Sequence, residues 1–407
     1  MQMHRRHMLA AGIAVIGLSG FAGGQDWPHW RGPNYDGISA EKGFKTEWPK
    51  PPPKVWEVEL GSAFSGLSCV DGKVYTCGTA DKQQVVFCLD AGTGKVIWQT
   101  PLEKEYREKQ GGDGTRATPT VEAGHVYILG AQGKLVCLDA ADGKEVWSRQ
   151  FDAMPQWGYA GSVLIEGDVA YVTAGGASGT LLALDKKTGK DIWKCGTGKV
   201  GYSTPYPFTL DGTRYIVGFM GTDMLIAEAK TGRLGCSIPW KTDWDINAAS
   251  PIFHDGLLFL SSGYKTGSAV FKLARAGDEL KTEKVWPAGE AATDKVILGK
   301  FQSAVLDNGD LYVSDEKALK CVEFATGKEK WAERGISNGT VILADGHLVV
   351  LSEEGELLIG PVSPKGFTAT TKVPVLSGRC WTIPTLYGGK LYVRNFKVAA
   401  CYDLSGK

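Results

Sequence analysis

The chain has 407 residues, with 45 Lys plus Arg against 45 Asp plus Glu and no stretch that concentrates positive charge, so nucleic acid is not an expected partner. Fifty-four glycines, thirteen tryptophans and no long helical periodicity favour an all-β chain. The length exceeds an ordinary single domain but suits one ring of eight units at ~45 residues each.

Residues 1–24 open with the basic His4-Arg5-Arg6-His7. An apolar run from Met8 to Phe21, too short to span a bilayer, follows, and Ala22-Gly23-Gly24 supplies small residues before Gln25. This pattern predicts a cleaved export signal and a mature chain in the periplasm or outside the cell, with no membrane span. Arg5-Arg6 suits either the twin-arginine or the general secretory route. No cysteine lies near the cleavage region, so no lipid anchor is expected there. Residues 25–53 carry Pro28, Pro33, Pro49 and Pro51-Pro52-Pro53, too many for regular structure. They also carry Trp27, Trp30, Tyr35 and Trp48, aromatics that a free linker seldom holds. An extended arm docked along the rest of the molecule is expected.

From residue 54 onward a phrase repeats. Trp recurs at 56, 98, 147, 193, 240, 286 and 331, and the clearest copies run Cys88-Leu-Asp-Ala-Gly-Thr-Gly-Lys-Val-Ile-Trp98, Cys137 to Trp147, Ala183 to Trp193 and Cys321 to Trp331. Each unit opens with a strand, turns at a pair such as Asp71-Gly72, Gly124-His125, Asp255-Gly256 or Asn308-Gly309, and returns through Val-Tyr or Leu-Tyr. A nearly all-apolar third strand follows, then an Asp-x-x-Thr-Gly-Lys turn into a fourth strand carrying the Trp. Four antiparallel strands cannot bury both faces alone, so units must stack, with each Trp filling the gap to the next unit through ~150–250 Å² of buried surface.

Turn glycines at 94, 143, 189, 232, 327 and 406, with Gly277 and Gly366 as weaker matches, make eight turns. The eighth unit stops at its turn, while Lys54 to Leu60 is a fourth strand with no unit of its own. The prediction is an eight-bladed β-propeller over 54–407 whose last blade is closed by the N-terminal strand, which removes two exposed sheet edges. Unit four has Cys236 at the Trp position and unit seven has no Trp, so packing there must be solved by other side chains. Cys88, Cys137, Cys321 and Cys401 share one apolar repeat position, which favours buried thiols over disulfides. Six scattered histidines and no Cys-x-x-Cys pair give no metal-ligand spacing.

The unit Ala-x-Asp-x-x-Thr-Gly-x-x-x-Trp, matched at every fixed position by Ala183 to Trp193, resembles the tryptophan-docking motif of the pyrroloquinoline quinone (PQQ) propeller superfamily. Two branches of that superfamily bear on function: quinoprotein dehydrogenases, and non-catalytic propellers such as the scaffold lipoprotein of outer-membrane β-barrel assembly. The opening Asp26-Trp27-Pro-His-Trp30-Arg31-Gly32-Pro33 looks more like exported PQQ-like propellers of some bacteria. The dehydrogenase branch implies a vicinal disulfide, a Ca²⁺ held by carboxylate and amide oxygens, and an Asp base. Here the two nearest cysteines are Cys69 and Cys77, and the inter-unit segments are too short for that branch's cap.

Any ligand site is expected where fourth-to-first-strand loops converge on the ring axis. The candidate funnel residues are Arg116, Thr118, Trp157, Tyr159, Tyr202, Asp245, Asn247, Lys300, Arg379 and Trp381. Their mix of aromatic rings and cations suits a flat anionic ligand, or equally the polar plugging that propeller axes require. The first functional reading is an exported, monomeric, non-catalytic scaffold that binds a protein or an envelope polymer, with no catalytic residue, metal or cofactor. The alternative is a PQQ- and Ca²⁺-dependent oxidoreductase, in which the resemblance would make Asp245 the base and Asn247 a Ca²⁺ ligand, with Arg379 or Lys300 polarising the quinone.

Overall fold

The computed structural model describes residues 25–176, 179–289 and 291–406. The expected export signal, 1–24, lies outside the described residues. Eight four-stranded antiparallel sheets, one of them extended by a fifth strand, follow one another along the chain. Blades one to seven take their strands from 68–104, 120–150, 164–195, 206–239, 252–286, 305–334 and 340–374. Blade eight takes three strands from 385–403 and its outermost strand from Lys54–Glu59, in register with Trp56 opposite Cys401 and Val58 opposite Ala399. The ring is therefore closed by its own beginning, as the count of turns predicts.

The repeat has a structural reason at each position. In blade one Cys88 lies across from Tyr75 on one side and Trp98 on the other, small enough for both rings to close over it, 6.0 Å apart. The Trp98 indole N–H donates to the Ala140 carbonyl of the next blade at 3.1 Å. Trp56, Trp147, Trp193, Trp286 and Trp331 make the same bond to the following blade at 2.9–3.0 Å. The turn glycine receives the ring: a Cβ on Gly143 would lie 2.6 Å from Trp98, and on Gly94 2.7 Å from Trp56. In the turn itself Asp90 Oδ1 accepts the Thr93 N–H and hydroxyl. The hairpin read at Gly124-His125 is formed one residue earlier, by Ala123-Gly124, because Glu122 pairs with His125. Both turn residues have positive φ, 48° and 78°, which suits the right-handed strand twist. All nine cysteines are free, eight of them buried.

Residues 25–53 reach across the ring. Trp27 bridges to Cys69 of blade one, the Pro28 carbonyl accepts the Val121 N–H of blade two, and Tyr35 packs with Leu164 and Tyr171 of blade three. On the opposite side, Trp30 donates to Ser250 beside blade five and buried Arg31 donates to the Ala304 carbonyl beside blade six at 2.6 Å. Ile38–Ser39 then adds a parallel strand to blade seven. The arm thus crosses the axis before running outward. Its later residues meet the Trp-less joint between blades seven and eight. Trp48 N–H donates to Thr371, and the Lys45 stem lies where a Trp ring would sit on the Gly406 turn, 3.1 Å from a Cβ placed there. The Lys45 ammonium lies 4.5 Å over the Trp48 ring. At the other irregular joint, where Cys236 replaces Trp, Leu280 packs against Gly235, while Trp240 is buried and bonds Ser262.

Candidate functional site

The fourth-to-first-strand loops converge on one end of the axis and enclose a pocket of about 390 Å³, within the usual range for ligand sites. Phe64, Trp157, Tyr202, Trp244, Tyr264, Phe301 and Trp381 line it, with Gln110, Arg116 and Lys300 among the polar groups. The rings are arranged by contact with one another: Trp381 lies 5.1 Å from Phe64 at an interplanar angle of 25° and 4.6 Å from Phe301. Beneath the pocket lies a belt of hydroxyls. Gly66, Thr118, Ser162 and Ser250 donate their backbone N–H to Thr118, Ser162, Thr204 and Ser303 of the next blade at 2.8–3.0 Å. Strand starts crowded around an axis leave inward N–H groups that need such partners. The arm's Trp30 and Arg31 reach this belt from the opposite face, at Ser250 and Ala304.

Of the ten candidate residues, Arg116, Trp157, Tyr202, Lys300 and Trp381 line the pocket. Arg379 lies behind it, 4.5 Å over the Trp381 ring and donating to the Gly111 carbonyl. Thr118 belongs to the hydroxyl belt. Tyr159 is buried in the wall between blades two and three, where its hydroxyl donates to Ala174 O. Asp245 pairs with Lys199 at 2.6 Å. Asn247 is wholly buried: its amide donates to the carbonyls of Met220, Gly221 and Trp240, and its oxygen accepts Ser262 Oγ at 2.8 Å.

Trp244 and Phe301 sit inside loops read from the sequence but carry no assigned role there. Phe64 follows the closing strand, so the same loop rule applied to 60–67 finds it. Tyr264 lies in a second-to-third-strand loop, 263–266, which reaches the same face. Trp244 and Tyr264 have φ of 68° and 55°, a conformation that bulky side chains seldom adopt and that tends to persist where function holds it.

The charged groups around the pocket already have partners. Arg116 donates to the carbonyls of Gly112 and Gly114 at 2.7 Å and lies over the Tyr106 ring at 5.0 Å, and burial lowers its pKa. Lys300 pairs with Glu316 at 3.6 Å. Glu353 accepts the Trp381 indole N–H at 2.7 Å and the Asn338 amide at 3.1 Å. No group of three or more His, Cys, Asp or Glu side chains able to hold a metal ion occurs among the described residues. Asn247 and Asp245, to which the dehydrogenase resemblance would give the Ca²⁺ and base roles, are here bonded to Met220, Gly221, Trp240 and Ser262 and to Lys199 respectively. No helix among the described residues is long and apolar enough to cross a membrane.

The family model described as outer membrane protein assembly factor BamB matches residues 53–279, more than half of the chain. BamB of Moranella endobia is 27% identical over 122 residues, 29% of this chain and 30% of that protein. BamB of Salmonella typhimurium is 33% identical over 103 residues, 24% of this chain and 26% of that protein. These matches span less than a third of either relative's length. Among solved structures, BamB from Moraxella catarrhalis superposes with a TM-score of 0.60 at 15% identity, covering 86% of this chain and 99% of that one. The quinohemoprotein alcohol dehydrogenase from Comamonas testosteroni reaches 0.67 at 14% identity, covering 96% and 82%. Likeness at such identities shows the shared propeller alone. Repeat, ring and family match agree: the chain belongs to the outer membrane protein assembly factor BamB family of PQQ-like β-propellers.

Proposed function

We propose that this protein is an exported binding propeller, a scaffold that engages a partner protein or an envelope polymer outside the cytoplasm through the open loop face of its ring. The observation that carries this reading is the composition of the axial pocket: seven aromatic side chains line it, and its charged groups are held by neighbours. Catalysis requires a base or electrophile free to act on a bound substrate. Asp245, the carboxylate that the oxidoreductase reading needs, is paired with Lys199 and does not line the pocket. Family membership favours the same reading, since the relatives' names describe assembly factors.

Affinity capture from envelope extract with wild-type protein and with Trp244→Ala or Trp381→Ala tests this. The expected result is a specific partner, protein or polymer, retained by the wild type across salt conditions and lost by the pocket variants. Equal capture by all three, or no specific partner at any salt, would count against the reading.

A further inference from the structure

We propose that the axial pocket binds an uncharged oligosaccharide, stacked on Trp244 and Trp157; this rests on the binding reading above and names the ligand class. A charged ligand would have to compete for groups already engaged. Arg116 donates to two backbone carbonyls, Lys300 is ion-paired with Glu316 at 3.6 Å, and Arg379 donates to the Gly111 carbonyl. Breaking such bonds to bind an ion leaves their former partners unsatisfied, which opposes binding. The pocket also offers neutral hydrogen-bonding groups that are free. Neither the Gln110 amide nor the Tyr264 hydroxyl bonds to any described residue, and both residues line the pocket.

A wall of aromatic faces with a few neutral donors and acceptors matches a pyranose ring, whose C–H faces are apolar and whose edge carries hydroxyls. A wholly apolar ligand would leave the amide and hydroxyl unmatched. Trp244 is 64% exposed, with its backbone held at positive φ. A large ring kept in water at the mouth of an aromatic pocket is placed to take the next sugar of a chain as it leaves. The arm's Trp30 and Arg31 lie under the pocket floor, so the chain enters and leaves by the loop face.

The test is tryptophan fluorescence and calorimetry on the full mature protein with chitohexaose, cellohexaose and maltohexaose, and with heparin as the anionic probe. The expected result is saturable binding of at least one neutral hexasaccharide, unchanged between about 50 and 500 mM salt, and weakened about tenfold by Trp244→Ala. Gln110→Ala, an exposed site that cannot disturb folding, should weaken it as well. No binding of any neutral hexasaccharide at about 10 mM, or binding of heparin alone with steep salt dependence, would overturn the inference. If envelope capture returns a protein lost by Trp244→Ala while the sugars neither bind nor compete, the scaffold reading stands and the oligosaccharide inference falls.

Discussion

At the scale of single residues the fold depends on a Trp in one blade and a Gly in the next. Gly143 serves twice, taking φ of +73° in its own turn and leaving room for the Trp98 ring. Gly124 has φ of +78°, and a Cβ placed on it would meet nothing within 4 Å. The two glycines separate backbone strain from steric exclusion. Gly124→Ala should cost about 1–2 kcal/mol, and Gly143→Ala about 1–3 kcal/mol more through overpacking, both read by urea unfolding. Equal costs would mean that the Trp does not dock where it is placed. Single residues were also where the sequence was least legible. Thr118, Tyr159 and Asn247 sit in the right loops, yet their side chains turn into the belt, the wall and the backbone. Position in a loop fixes a residue's height along the axis but not which way its side chain points.

Among the elements, the strands and their hairpins were legible because period-two patterning and Asp-Gly or Asn-Gly turns are local. The path of the arm was not, because proline content fixes extension without fixing a destination. What fixes it is burial: Trp27, His29 and Arg31 are each less than a tenth exposed. His29 stacks on Tyr35 at 3.7 Å, and burial lowers its pKa from 6.5 to about 4. Between these values the unfolded chain takes up a proton that the folded one refuses. His29 therefore costs nothing above pH 6.5, and stability falls as pH drops towards 4, by about 3 kcal/mol in all. Replacing His29 with Phe should flatten that part of the pH–stability profile relative to wild type. Parallel profiles for the two proteins would show that His29 is not buried as described.

For the whole molecule, the closing strand and the arm make the two ends of the described chain interdependent. Arg394 of blade eight, fully buried, donates to Thr76 Oγ1 and Cys77 O of blade one, and Thr385 bonds the Leu67 carbonyl. Deleting 54–60 strips blade eight of its outer strand, and should lower stability by several kcal/mol through an exposed edge and uncovered apolar face. A truncated protein that unfolds at the same urea concentration would contradict ring closure. The count of blades was legible because an incomplete last unit and an orphan first strand complement each other. The aromatic pocket was legible only in part, because it needs loops of two kinds, from several blades, brought to one axis.

The central claim is that this axis binds without the chemistry of a quinone enzyme. Thermal unfolding of the purified protein with and without PQQ and Ca²⁺ tests it most directly. A ligand at 100 times its dissociation constant adds ~2.7 kcal/mol of stability. The account predicts superimposable melting curves, and a clear upward shift with PQQ and Ca²⁺ together would contradict it.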